Sequence, residues 1–188
     1  MAQEKVDVTE ITPTLLVFAT SSGNVVASVG REGVLLIGKP STASTPLING
    51  ILKQRTQSST RYVVIYPESL SSSEGDAGWG QLGALVAMQE NALRRLGGDT
   101  MGALGPLPGR LNGLGVGRPR IAFSEVLALD LNGDSVHIVH QKPGYSDADA
   151  LAHFHVANVF YLGEAFPVTA THESTRRKAA HFKVCSTN

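Results

Sequence analysis

The first forty residues alternate short apolar runs with tight polar turns. Leu15 to Ala19, Val25 to Val29 and Val34 to Ile37 are such runs, parted by TSSGN at 20–24 and GREG at 30–33. Runs this short, rich in β-branched residues and closed by Gly and Asn, predict three strands of an antiparallel meander. The period then changes. Leu47, Ile48, Ile51 and Leu52 share one helical face, which predicts a helix over Thr42 to Arg55, capped by Ser44 or Thr45 with Pro46 in its first turn. A β-branched run from Tyr62 to Tyr66 follows. It stops at Pro67 and releases the chain into a loop of Ser, Glu, Gly and Asp. Open α/β sheets place their sites at that carboxyl end of a buried strand.

The second half is less uniform. Leu82, Leu85, Val86, Leu93 and Leu96 fit a helical stripe, but the same stretch also divides into a strand, Ala84 to Met88, and a helix, Glu90 to Leu96. Gly97 ends the helix in either case. Residues 97–119 carry eight glycines and three prolines, a composition that predicts a flexible flap. Their Gly113-x-Gly115-x-Gly117 run neither follows a strand nor opens a helix, so it is not read as a phosphate loop. Strands are then predicted at 121–123, 126–131, 135–140, 150–156 and 158–162. Asn132-Gly133 is the hairpin turn between two of them.

Composition narrows the class. With 188 residues, 42% of them apolar and 17% charged, one compact domain over 1–188 is expected. Sixteen basic residues balance sixteen acidic ones, which leaves no field for nucleic acid or an anionic membrane surface. The basic run Arg176, Arg177, Lys178 reads as a solvated face. One cysteine, Cys185, excludes an internal disulfide and a CxxC motif. No apolar run approaches the roughly 18 residues of a membrane span, and the N-terminus has no apolar signal core, so a cytoplasmic location is expected.

The strand-and-loop of residues 61–80, RYVVIYPESLSSSEGDAGWG, resembles the metallo-β-lactamase superfamily, where such a strand runs into a metal-binding His-x-His-x-Asp-His segment. The opening meander, ITPTLLVFATSSGNVVASVGREGVLLIGKPS, is similar to the quinoprotein-relay branch of that superfamily. MQENALRRL is similar to its His-Glu-Asn segment, which favours the strand–helix division of 84–96. FSEVLALDLNGDSVHIVHQ and PGYSDADALAHFHVANVFYLGEAF resemble its second sheet, so the match covers about residues 11–166. It implies a four-layer αββα sandwich, shortened at the C-terminus, with residues 167–188 a divergent tail.

The same resemblance implies that the metal ligands are gone. Pro67, Ser69, Ser71 and Ser72 occupy the four positions of the His-x-His-x-Asp-His segment. Gly38 stands for an acidic residue after the third strand, Gln89 for a histidine, Tyr145 for another, and Glu164 for the bridging aspartate. Zinc takes His, Cys or carboxylate, three or four at a time, and Glu164 alone qualifies. No metal and no cofactor are therefore expected. The expected function is a metal-free protein that uses the vacated cleft to bind a small molecule or a partner, with Ser69, Ser71, Ser72, Trp79 and Gln89 as ligand-binding residues. One alternative is a metal-independent lyase, isomerase or cyclase, with Tyr145, Glu164 and Asp149 as acid/base groups. Another is an assembly subunit. Only 22 residues follow Phe166, too few for the segments that usually complete the fold, so a homo-oligomer is expected. His153 and His155, at i and i+2, would share a strand face. A relocated metal site there would need one more group to converge, and a polar outer face is the plainer reading.

Overall fold

The computed structural model describes residues 4–38, 40–66, 79–80, 82–97, 119–143, 146–163 and 182–184. Its elements are β1 (Asp7–Thr12), β2 (Leu15–Thr20), β3 (Gly23–Gly30), β4 (Gly33–Gly38), α1 (Ser44–Arg55), β5 (Thr60–Ile65), β6 (Leu85–Gln89), α2 (Glu90–Gly97), β7 (Ile121–Phe123), β8 (Val126–Leu131), β9 (Asp134–His140), β10 (Ala150–Phe154), β11 (Val159–Tyr161) and β12 (Phe182–Val184). The predicted strands and the strand–helix division of 84–96 are present within a residue or two. Two strands were not foreseen, β1 and β12.

The first sheet has the order β1-β2-β3-β4-β5-β6-β7. Its first four strands are antiparallel, and β4 through β7 run parallel. The second sheet is antiparallel throughout, β12-β11-β10-β9-β8. Only Ser124 and Glu125 separate β7 in the first sheet from β8 in the second, so the chain changes layers at that corner.

The composition of β4 explains the layering. All of Gly33–Gly38 is buried, as a strand covered on both faces must be. Val34 and Leu36 face one side, packing with Phe18, Val63, Val86 and Met88 and with Ile48 and Leu52 of α1. Leu35 and Ile37 face the other, where Val136, Ile138, Ala152 and Phe154 of the second sheet meet them. Burying one such side chain contributes about 1.5–3 kcal/mol. Among the described residues, helices, first sheet and second sheet are thus three successive layers, with a core on each side of β4.

The start of α1 differs from the expected cap. Ala43 precedes the helix without a side-chain hydrogen bond, and Ser44 and Thr45 are its first helical residues. Ser41 does the capping. Its Oγ accepts from the Ser44 amide at 3.0 Å while its own amide donates to Ser44 Oγ at 2.8 Å. This is a reciprocal capping pair displaced toward the N-terminus, with Ser44 in the place usually held by Glu or Gln. Thr45 Oγ1 donates to the Ser41 carbonyl and adds to the same turn.

The two sheets are clamped at one end by the Asn132-Gly133 turn. Asn132 has φ 57° and Gly133 φ 78°, the left-handed pair that a tight hairpin of this hand requires. The Asn132 side chain reaches the first sheet, donating to the Gly33 carbonyl at 2.9 Å and to Ser28 Oγ at 3.2 Å. Gly30 lies beneath it, and a Cβ there would come within 2.2 Å of Asn132 Oδ1.

Candidate functional site

Three parallel strands, β4, β5 and β6, deliver their carboxyl ends to the other end of the sandwich, at Gly38, Tyr66 and Gln89. The space beyond Gly38 is filled. Its φ is +129°, and a Cβ there would lie 2.5 Å from the Asn24 carbonyl and 3.1 Å from Tyr161 Oη. Tyr161, from the second sheet, donates its hydroxyl to that Asn24 carbonyl at 2.9 Å. Tyr66 packs edge-on against the Tyr161 ring, with centroids 5.3 Å apart and planes at 87°. Both tyrosines are buried. The floor at these strand ends is therefore an aromatic plug.

Gln89 is buried at 3% exposure and works as a helix cap. Its Oε1 accepts from the Asn91 amide at 2.5 Å and the Ala92 amide at 3.4 Å, while Nε2 donates to the Ser124 carbonyl at 3.2 Å. A glutamine can do this because the strand ends against the helix and its longer side chain folds back over the first turn. Asn91, one turn position on, donates Nδ2 to the Asp147 carbonyl at 2.6 Å. His140 Nε2 lies 3.0 Å from that same carbonyl. One backbone oxygen thus ties α2 to β9 across the mouth of the sandwich.

Asp149 belongs to the same loop and is buried. Its Oδ1 accepts from the Ser146 amide at 2.9 Å and from Ser146 Oγ at 2.7 Å, which fixes the turn leading into β10. Ala148, between them, packs into the helix-side core. Trp79, expected beside a ligand, is fully buried in that core, and its indole Nε1 has no hydrogen-bond partner among the described residues. Ser69, Ser71, Ser72, Tyr145 and Glu164 lie outside the described residues, as do Pro67 and most of the 97–119 and 167–188 segments.

Gly38, Asn24, Tyr66, Tyr161, Gln89, Asn91, Asp147, Asp149 and His140 are thus gathered at one end. Of these, Gly38 and Gln89 were singled out by the resemblance, and Asp147 and Asp149 are acidic residues of the segment similar to its second sheet. The tyrosine plug could not be found from spacing, because it depends on β11 lying opposite the β3–β4 pair. A separate open groove of about 420 Å³ lies at the far end of β5, bounded by Leu52, Lys53, Thr56, Ser58, Thr60 and Leu82. It lies at the opposite end of β5 from Tyr66 and has a mixed polar and apolar lining.

The two-sheet sandwich with helices against the mixed sheet is the metallo-β-lactamase fold. Solved structures agree. A metallo-β-lactamase from Novosphingobium pentaromativorans, MIM-1, superposes with a TM-score of 0.58 at 13% identity, covering 78% of this chain and 55% of that one. The Cronobacter sakazakii metallo-β-lactamase with a HARLDQ motif gives 0.59 at 16% identity, covering 87% and 61%. A metallo-β-lactamase from Pontibacter korlensis gives 0.61 at 11% identity, covering 80% and 67%. This chain thus spans 55% and 61% of the length of the first two. No family model matches the sequence, and no curated protein does.

The positions at which the resemblance implies metal ligands, Pro67, Ser69, Ser71, Ser72, Tyr145 and Glu164, lie outside the described residues, and by residue type Glu164 alone of them could hold an ion. Where the resemblance implies an acidic residue and a histidine, Gly38 has no side chain and no room for one, and Gln89 is an amide engaged in capping. Among the described residues no group of three or more His, Cys, Asp or Glu is arranged to hold a metal ion. No helix among them is long and apolar enough to cross a membrane.

Proposed function

We infer that the strand ends of this protein bind a small molecule or a partner without the metal pair of the fold. The observation that carries the reading is the Tyr161 plug. At the position where the family resemblance implies an acidic residue, the chain has a glycine whose space is taken by a tyrosine from the opposite sheet. A floor closed by buried aromatic rings and internally bonded amides is a rigid, shaped surface on which a small molecule or partner can pack. It does not suit the polarisation of water by a divalent ion.

The acid/base reading has less behind it. Tyr145 and Glu164 are outside the described residues, and Asp149 already accepts two hydrogen bonds from Ser146. The test is a thermal-shift screen of small metabolites, run with and without a strong chelator. A stabilising compound should act equally in both. Its effect should weaken in Tyr145→Phe or Glu164→Gln with the fold intact. Stabilisation that vanished on chelation and returned with zinc would overturn the reading.

A further inference from the structure

His137, His153 and His155 meet on the outer face of the second sheet. Alternation along β9 and β10 turns Val136, Ile138, Ala152 and Phe154 into the core. It leaves His137 and His153 outward as direct cross-strand neighbours. His155 follows on the same side, just past the end of β10, and its Nε2 lies 2.9 Å from His137 Nδ1. We propose that these two nitrogens form a chelate for a divalent transition ion of tetragonal preference, Cu(II) or Ni(II), with water completing the coordination.

Distance selects the ion. Imidazole nitrogens bind such ions at about 2.0–2.1 Å, so donors 2.9 Å apart subtend about 90° at a shared ion. That is the angle of square-planar and octahedral geometry, which Cu(II) and Ni(II) favour. Tetrahedral zinc would want its donors about 3.3 Å apart at the same bond length. Without an ion the two nitrogens share one proton, and binding requires the donor ring to move that proton to its other nitrogen.

The pair is also held in place. The His155 amide donates to the Ser135 carbonyl at 3.1 Å. The turn that follows is fixed by Asp134, whose carboxylate accepts from the Val156 amide at 2.8 Å and the Ala157 amide at 3.0 Å. The His155 ring is backed by His153, with centroids 4.0 Å apart. His153 in turn stacks on Phe160, also at 4.0 Å and with planes 4° apart. Backbone and ring are therefore positioned before any ion arrives, which lowers the ordering cost of binding. The Asp134 carboxylate adds a negative charge close to this face. His155 is exposed and His137 partly so, leaving solvent access for the ion and its waters.

The test uses the full chain without an affinity tag, freed of metal and placed in a non-chelating buffer. Titration calorimetry with nickel chloride should give one ion per chain. Electron paramagnetic resonance with copper sulfate should show a tetragonal Cu(II) spectrum with nitrogen splitting. His137→Gln and His155→Gln should each weaken binding by at least about tenfold, the lower end of what losing even an outer-shell partner costs. His172→Gln combined with His181→Gln should leave it unchanged. In the wild type, substoichiometric Ni(II) should broaden the ring resonances of His137 and His155, together with the adjacent His153, before those of His140, His172 and His181, a readout that holds even if a variant folds poorly. The proposal is overturned if the wild type binds neither ion, if folded pair variants keep wild-type affinity, or if broadening centres on other histidines.

Discussion

Tyr161 occupies the volume that a side chain at position 38 would need. Its hydroxyl is 3.1 Å from the ideal Cβ position of Gly38 and 2.9 Å from the carbonyl it engages on Asn24. Gly38→Asp would restore an acidic residue where the resemblance implies one. It would also force φ +129° on a non-glycine residue and drive a Cβ to 2.5 Å from a backbone oxygen. Both effects are costly, at about 1–3 kcal/mol each. Gly38→Asp is expected to lower the urea midpoint without conferring zinc binding. Pairing it with Tyr161→Ala relieves the contact to Tyr161 but not the one to the Asn24 carbonyl, so recovery should be partial. A singly substituted protein as stable as the wild type would show that this end of the sandwich is loosely packed.

Gln89, which stands where the resemblance implies a histidine, offers a second test, of whether it serves structure. Loss of an N-cap side chain costs about 0.5–2 kcal/mol. Gln89→Ala should fall in that range and should also free the Ser124 carbonyl between the two sheets. Amide hydrogen exchange is the direct readout. The amides of Asn91 and Ala92 should lose protection while those of β6 keep theirs. Equal protection in variant and wild type would remove the capping role.

Asn132 should matter more than its place in a turn suggests. Its side chain makes three links to the first sheet, two as donor and one accepting from the Glu32 amide at 3.3 Å. Asn132→Gly keeps the left-handed turn and removes all three, and Asn132→Ala also strains the backbone. With about 1 kcal/mol for a typical net hydrogen bond, Asn132→Gly should cost about 2–3 kcal/mol and Asn132→Ala more. Denaturant melts of the two variants check the order, and a glycine variant as stable as the wild type would argue against an inter-sheet clamp.

What could be read from the sequence was what is locally encoded. The meander, β5 and the Asn132-Gly133 hairpin each carry their own alternation or turn chemistry, and each is where it was expected. β1 escaped because its six residues hold only two apolar ones, Val8 and Ile11, and its pairing has a register shift between Glu10 and Thr12. Val6 and Val8 pack on one side of the sheet and Ile11 on the other. β12 escaped because its identity lies in pairing with β11, about twenty residues earlier, more than in its own three residues. The site shows the same division. Alternation placed His153 and His155 on one face, but only the register of β9 against β10 brings His137 opposite them. Gln89 was recognised as a position without its task, since its partners come from α2 and Ser124. Trp79 was read as a ligand platform because it borders the serine-rich loop, whereas it is fully buried in the core cluster that also holds Ala92 and Ala148.

The histidine face makes stability depend on pH through His153. Burial holds its pKa below the ordinary value near 6.5, His155 and then His137 push the same way, and Asp134 opposes them. Its Nε2 is buried without a hydrogen-bond partner among the described residues, so the neutral ring is the one the fold accommodates. In the unfolded chain the imidazole takes up its proton near pH 6.5, while in the folded chain it does so only at lower pH. Between those two values the unfolded state binds more protons, so folding stability falls as the pH drops. Below the folded value both states are protonated, and the loss levels off. His153→Phe removes the titrating group and keeps a flat ring to stack on Phe160. Urea melts from pH 7.5 down to 5, in a chelator so that no ion competes for His155, should show a declining midpoint in the wild type and a shallower decline in His153→Phe. Parallel curves for the two proteins would assign the acid sensitivity to other groups.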